Sequence, residues 1–446
     1  MLRKTSLLIS LAAVALAGCT EREQILPGER LNVRDVLSGD YVDDAAPVAE
    51  ATGPQARAFS APAAVANQDW AQSPVSPMAR VANAALGQSL SPLFAVSIGA
   101  GDGRKTRLNA DPIVAGGRIF TMDANHQVRA TSTSGQTLWS AALIPQRDKA
   151  PEGQGGGLAY GDGKLFVSSG FGKLTALDPA TGNVFWEQDL NNTATGAPSY
   201  RDGLVYVVSG DSTAWAIESK DGRVRWQFDG AQDFNNIAGA PAPAINDKYV
   251  VFAFGSGAVS GAFRQGGLQV WNAELLGRRT GVTLAGINDV TGDPVIAGDR
   301  VYAGNHSGRV VALSIYNGDR IWTAKKGALG PMWPAGDSVF FVSDLNQLVR
   351  LDADTGQEIW SRDLPGYRPT RNPNRRRDGS FANHGPVLAG GRLIVTSSDG
   401  KIRAFNPADG SLLQQIDIAG GATTRPIVAN GTLYVVSRKG VLHAYR

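Results

Sequence analysis

A pair of turn residues followed by an apolar run rich in β-branched and aromatic residues recurs eight times in this chain: GGRIFTM, DGKLFVSS, DGLVYVVS, NDKYVVFAF, GDRVYAG, GDSVFFVS, GGRLIVTSS and NGTLYVVS. The second turn residues are Gly117, Gly163, Gly203, Asp247, Asp299, Asp337, Gly391 and Gly431, so the steps are 46, 40, 44, 52, 38, 54 and 40 residues. A period of 40 to 50 residues is that of four-stranded propeller blades, which stack because one blade cannot bury its faces alone. Each unit divides into four strands. A short strand (DPIVA, GAPSY, GDPVI, GPVLA, RPIVA) leads into the turn, whose residues suit a hairpin needing positive φ. The apolar second strand follows, then a third (GKLTALD, GRVVALS, NQLVRLD, GKIRAFN) and an Asp/Asn-to-Gly turn into the fourth.

In that last turn Gly precedes Trp by four residues six times: Gly135/Trp139, Gly182/Trp186, Gly222/Trp226, Gly267/Trp271, Gly318/Trp322 and Gly356/Trp360. Six of the nine Trp residues therefore occupy one repeat position, which predicts a flat ring on the outer strand docked on the neighbouring blade. The seventh unit is degenerate, with Gln414 at that offset from Gly410. The eighth stops at LHAYR, where a fourth strand is due, and PLFAVSIG (Pro92 to Gly99) supplies it, with Phe94 at the Trp position. The fold class is all-β: an eight-bladed β-propeller of four antiparallel strands per blade, the last blade closed by the N-terminal strand, which leaves no open ring edge.

Residues 1–18 have a basic start (Arg3, Lys4), an apolar stretch from Leu7 to Leu16 and small residues before Cys19, the pattern of an export signal peptide. Leu16-Ala17-Gly18-Cys19 resembles the bacterial lipobox, and Cys19 is the one cysteine in the chain. An exported protein with a single thiol forms no internal disulfide, so Cys19 is read as the site of lipidation, including a palmitate-type acyl chain. At ~0.8 kcal/mol per buried methylene, several chains anchor the protein to a membrane. Residues 19–88, rich in Ala, Pro, Ser and Asp, read as a lipidated and mostly irregular tether with a short docked helix near Pro77 to Leu86. Residues 89–446 are the propeller. Without the signal's two bases the charge is 41 − 40 = +1, which argues against nucleic acid as a partner.

The phrase A-x-D-x-x-T-G-x-x-x-W resembles the pyrroloquinoline-quinone-type propeller repeat of quinoprotein alcohol dehydrogenases and of the BamB family of outer-membrane β-barrel assembly lipoproteins. Lipobox, tether and eight such blades together resemble the BamB family over essentially the whole chain. A quinoprotein dehydrogenase would need a vicinal disulfide, excluded by one cysteine, together with calcium, a catalytic Asp and longer roofing insertions. His126, His306, His384 and His443 lie in four different repeats without ligand-type spacing, and no nucleophile motif or phosphate loop stands out. The reading is a non-enzyme with no cofactor and no metal; the alternative is a quinoprotein-like oxidoreductase or a small-ligand-sensing periplasmic propeller.

The resemblance implies a scaffold at the periplasmic face of the cell outer membrane, held by its lipid anchor, that binds the periplasmic domains of BamA and other assembly-complex members and assists insertion of β-barrel proteins. Thr20 after the Cys, where enterobacterial inner-membrane lipoproteins carry Asp, agrees with the outer membrane. The longest steps locate two insertions. Glu274 to Ile296 contains Asn288-Asp289-Val290-Thr291, which resembles the acidic S-D-V-D-type loop that contacts BamA in the family. Asp289 matches its first acid, Thr291 replaces the second, and Asp293 stands close by as a further partner-binding candidate. The family's L-x-L-R segment should fall near Phe234 to Gly239, which has no Arg, and Asp289 reads equally as a turn cap. The other insertion gathers Arg368, Arg371, Arg375, Arg376 and Arg377 against Asp378, either a phosphate- or acid-binding loop or a solvated spacer.

Overall fold

The computed structural model describes residues 56–210, 212–231, 241–275, 277, 290–371 and 379–446, all within one compact unit, 44–446. Cys19, Asp289 and Arg375 to Arg377 lie outside the described residues. The described strands form eight four-stranded antiparallel sheets, seven of them simple meanders. Blades 1 to 7 occupy 113–142, 156–189, 199–229, 244–274, 295–324, 333–363 and 383–417. Blade 8 joins Ile427–Ala429, Thr432–Ser437 and Val441–Tyr445 to the N-terminal strand Pro92–Ser97, as the truncated eighth repeat predicted. Ser91 and Arg446 exchange both backbone hydrogen bonds at this seam, at 2.8 and 2.9 Å.

The Trp repeat is the fastening between blades. A Cβ added at the turn glycine of each following blade would meet the preceding Trp ring: Gly182 at 2.6 Å from Trp139, Gly222 at 2.7 Å from Trp186, Gly267 at 2.6 Å from Trp226, Gly318 at 2.8 Å from Trp271, Gly356 at 2.5 Å from Trp322 and Gly410 at 2.9 Å from Trp360. Only glycine lets the ring lie on the turn backbone, and positive φ at the same residue requires glycine a second time. Each indole N–H donates to a carbonyl of that next blade: Pro179, Ser219, Arg264, Ile315, Ala353 and Pro407, at 2.8–3.1 Å. Phe94 does the same steric work at the seam, 3.0 Å from a Cβ position on Gly135. The degenerate seventh unit has a physical reason. In blade 8 the third-to-fourth turn is replaced by the Arg446/Ser91 seam, so no turn glycine exists for a Trp to cover. Gln414 there accepts from Arg392 instead, at 3.2 Å.

The segment expected to be a tether differs most from expectation. Residues 56–90 form no helix, Pro77 to Leu86 included; they are an irregular belt with isolated bridges at Val65, Trp70 and Ala84. The belt is docked on the ring: Trp70, Val75, Ser76, Asn83 and Ala84 are each no more than 3 % exposed. Trp70, Ala84, Leu86 and Leu90 share one apolar cluster with blades 6, 7, 8 and 1. Composition gave little sign of this, because many of the belt's contacts with the ring are made by backbone and small polar groups.

Candidate functional site

In a meander, alternate turns fall at opposite ends of the strands. One end of the ring therefore carries the first-to-second and third-to-fourth turns, and the other carries the second-to-third turns and the inter-blade links. The belt lies at the first end. Asp69 accepts from Gly116 N at 3.1 Å, Asn67 O from Asn430 N at 2.8 Å, and Asn83 and Ala84 accept from Gly391 N and Gly390 N, all in first-to-second turns. Arg57 clamps the start of the belt to blade 6, pairing with Asp337 at 2.6 Å and Asp352 at 2.7 Å. Beneath it the fully buried Arg350 packs against both Phe59 and Phe340, at 5.2 and 5.8 Å from the ring centres, and donates to the carbonyls of Arg57 and Ala58. Both expected insertions join strands at the other end: Glu274 and Val295 flank one, Asp363 and Asn383 the other.

Between the ends is an axial cavity of ≈ 520 Å³. Belt residues Trp70, Gln72 and Ser73 line it together with link residues from most blades. Trp70 stacks on Trp333, with centroids 6.1 Å apart and planes at 14°. Arg425 crosses the cavity wall between Asp111 and Asp293, pairing with Asp293 at 2.8 Å and with Asp111 through Nε, while its own N–H donates to Asp111 at 2.9 Å. Burial opposes the Arg425 charge, but the two carboxylates outweigh it and hold the guanidinium protonated. His384 faces the same cavity; burial pushes it down to about 4, so it is neutral at neutral pH. Its Nε2 and the Asn383 Oδ1 have no hydrogen-bond partner among the described residues.

Asp293, expected as a partner contact, is a brace. Its Oδ1 accepts from Ala242 N at 2.9 Å, and its Oδ2 accepts from Ser73 Oγ at 3.2 Å besides Arg425. One carboxylate thus connects the links entering blades 4, 5 and 8 and the belt through three accepted hydrogen bonds. Sequence reasoning missed Arg425, Asp111 and the belt. Arg425 and Asp293 stand 132 positions apart, and no local pattern relates them. The one available signal for the belt was Trp70, an aromatic isolated in a stretch otherwise poor in them. Arg368 stacks on Phe381 at 5.6 Å, at the edge of the second insertion. His126 and His443 are buried, His126 edge-on to Phe171. Among the described residues no group of three or more His, Cys, Asp or Glu is placed to hold a metal ion.

The family model described as "Outer membrane protein assembly factor BamB" matches residues 124–362 and 348–446. The chain is similar to proteins of that name from Escherichia coli strain K12, 29 % identical over 357 residues covering 79 % of this chain and 87 % of the relative. To that of Xanthomonas campestris pv. campestris it is 30 % identical over 364 residues, covering 79 % and 85 %. Among solved structures it resembles BamB from Moraxella catarrhalis, with TM-score 0.64, 17 % identity and coverage of 80 % of this chain and all of that one. It also resembles quinohemoprotein alcohol dehydrogenase from Comamonas testosteroni, with TM-score 0.66, 15 % identity and coverage of 85 % and 80 %. Likeness at these identities establishes the propeller fold alone.

Proposed function

The chain belongs to the family of outer membrane protein assembly factor BamB, and from that premise we propose that it is a lipid-anchored scaffold that binds BamA and assists insertion of β-barrel proteins at the periplasmic face of the outer membrane. As a member of that family it is an assembly factor and not an enzyme. The observation that carries the scaffold reading is the division of the ring into two ends. The belt, which leads back through the sequence towards Cys19, occupies one end, and the flanks of both long insertions stand at the other. The flanks of the insertions thus stand at the end opposite the one where Arg57 is clamped. The 37 residues from 20 to 56 reach at most about 130 Å when extended, enough to let the ring meet a partner standing off the membrane.

The test is affinity capture from detergent-solubilised outer membranes with the acylated protein as bait. BamA and its companions are expected in the eluate. Their absence under gentle conditions sinks the proposal, and a bound quinone chromophore in the purified protein would point to the dehydrogenase-like alternative. Cys19→Ser is expected to release the protein from membrane pellets while leaving the ring folded.

A further inference from the structure

The inner edge of the ring offers the same backbone position eight times. In every blade one residue of the first strand pairs with the second-strand residue five places on: Val114, Tyr160, Tyr200, Ile245, Ile296, Pro334, Leu388 and Val428. The belt bonds each of them. Val114 exchanges two hydrogen bonds with Trp70, at 2.7 and 3.0 Å; Tyr160 N donates to Ala71 O at 2.7 Å, and Ile296 N to Val75 O at 2.9 Å. Tyr200 exchanges two with the Gln72 carboxamide, and Ile245 N donates to Ser76 Oγ at 2.6 Å. The carbonyls of Pro334, Leu388 and Val428 accept from Arg80, Ala84 N and Asn67 Nδ2. Even the proline fits, since blade 6 uses only the carbonyl there. From blade 8 through 1, 2 and 3, past 5 and 4, to 6 and 7, the segment makes one circuit of the channel.

The ring side of these contacts is backbone in every case, whereas the belt side is in turn main chain, carboxamide, hydroxyl and guanidinium. That is how a sheet edge receives an extended peptide: the main chain gives adhesion, and a few side chains give register. Register here comes from Trp70 against Trp333 and from Trp333 Nε1 donating to Ala82 O at 3.0 Å. The ring is otherwise complete, because its sheets, its seam and its Trp fastenings include no residue of 67–84. We propose that the inner edge of the ring is a polypeptide-binding site, filled in this chain by its own residues 67–84, and that this occupant is separable from the folded ring. The exposed link Gly87–Ser89 joins the two, and so short a link holds the occupant at an effective concentration in the millimolar range, so even a weak intrinsic affinity keeps the site filled.

The test starts from the full soluble chain with a protease site placed in the exposed link Gly87–Ser89. After cleavage, a fluorescein-labelled peptide of residues 64–86 is added and followed by anisotropy and gel filtration. The native peptide should exchange in, saturably and reversibly, with a change in tryptophan emission. A Trp70→Gly peptide should bind at least tenfold more weakly, and a scrambled one should not bind. An uncleaved chain carrying Trp70→Gly and Gln72→Ala should keep the β-sheet signal of the wild type and take up the native peptide from solution. The proposal is overturned if the cleaved segment leaves only when the ring unfolds, if the ring collapses on losing it, or if scrambled and native peptides bind alike.

Discussion

The glycine under each tryptophan can be tested against a glycine that has the same backbone but no ring above it. Gly182 has φ +77° with Trp139 on its turn, and Gly203 has φ +83° with no atom within 4 Å of an added Cβ. Alanine at either site meets the left-handed penalty, about 1–2 kcal/mol, and shortens the unfolded ensemble equally. At Gly203 nothing further is lost. At Gly182 the methyl would stand 2.6 Å from the indole, so the ring must lift. Lifting adds an overpacking cost of about 1–3 kcal/mol and breaks the Trp139 Nε1 bond to Pro179 O, worth about 1 kcal/mol. Gly203→Ala should therefore cost about 1–2 kcal/mol and Gly182→Ala about 3–6 kcal/mol. Urea unfolding of the soluble chain, read by far-UV circular dichroism, gives both numbers. In a Trp139→Leu background the extra penalty at Gly182 should disappear, because the ring that causes it is gone. Costs equal to within about 0.5 kcal/mol in the wild-type background would refute the fastening.

Four further outcomes follow from the same structure. Because burial keeps His384 neutral down to about 4 while the unfolded side chain protonates near 6.5, its contribution is complete above pH 6.5 and lost on acidification towards 4; His384→Gln should flatten the stability slope in that window by up to about 3 kcal/mol, and an unchanged slope would place the histidine in water. Asp293→Asn should lower the unfolding free energy by about 2 kcal/mol through loss of the Arg425 ion pair but leave BamA capture by the folded fraction intact, whereas lost capture at full stability would make Asp293 a partner contact. Asp289→Arg is expected to do the reverse, weakening capture with a stability change within about 0.5 kcal/mol; a collapsed melting transition would reveal a structural Asp. Replacing Arg375, Arg376 and Arg377 by Gln should reduce binding of the non-acylated protein to anionic vesicles, with the difference shrinking above about 0.15 M salt, and equal binding at low salt would leave the loop a spacer.

Blade number, strand order and the N-terminal closing strand were legible because they repeat. A glycine four residues before a tryptophan is visible as a local phrase, and Phe94 was identifiable by the place it filled in that phrase. The belt repeats too, but the repetition belongs to the ring and not to the belt. Eight equivalent backbone positions are met by residues at uneven spacing, from Asn67 to Ala84, so the segment carries no period of its own. The Arg425 brace was hidden for a related reason: Asp111, Asp293 and Arg425 come from the links entering blades 1, 5 and 8 and meet only in the closed ring.

The seam in blade 8 also sets an order of events during synthesis. Seven blades are local meanders that can form as their residues emerge, but Pro92–Ser97 waits for Val441–Tyr445, its partner from near the other end of the chain. Closing so long a loop gains nothing until the final contact is made, which is the slow kind of step in β-folding. The belt emerges before any of the eight inner edges it will touch. Pro92–Ser97 is thus among the first described strands to leave the ribosome and the last to be paired, and until then it remains open to proteases. Resistance of residues 92–97 to digestion is therefore a clock for ring closure, and a chain halted before residue 441 would not acquire it.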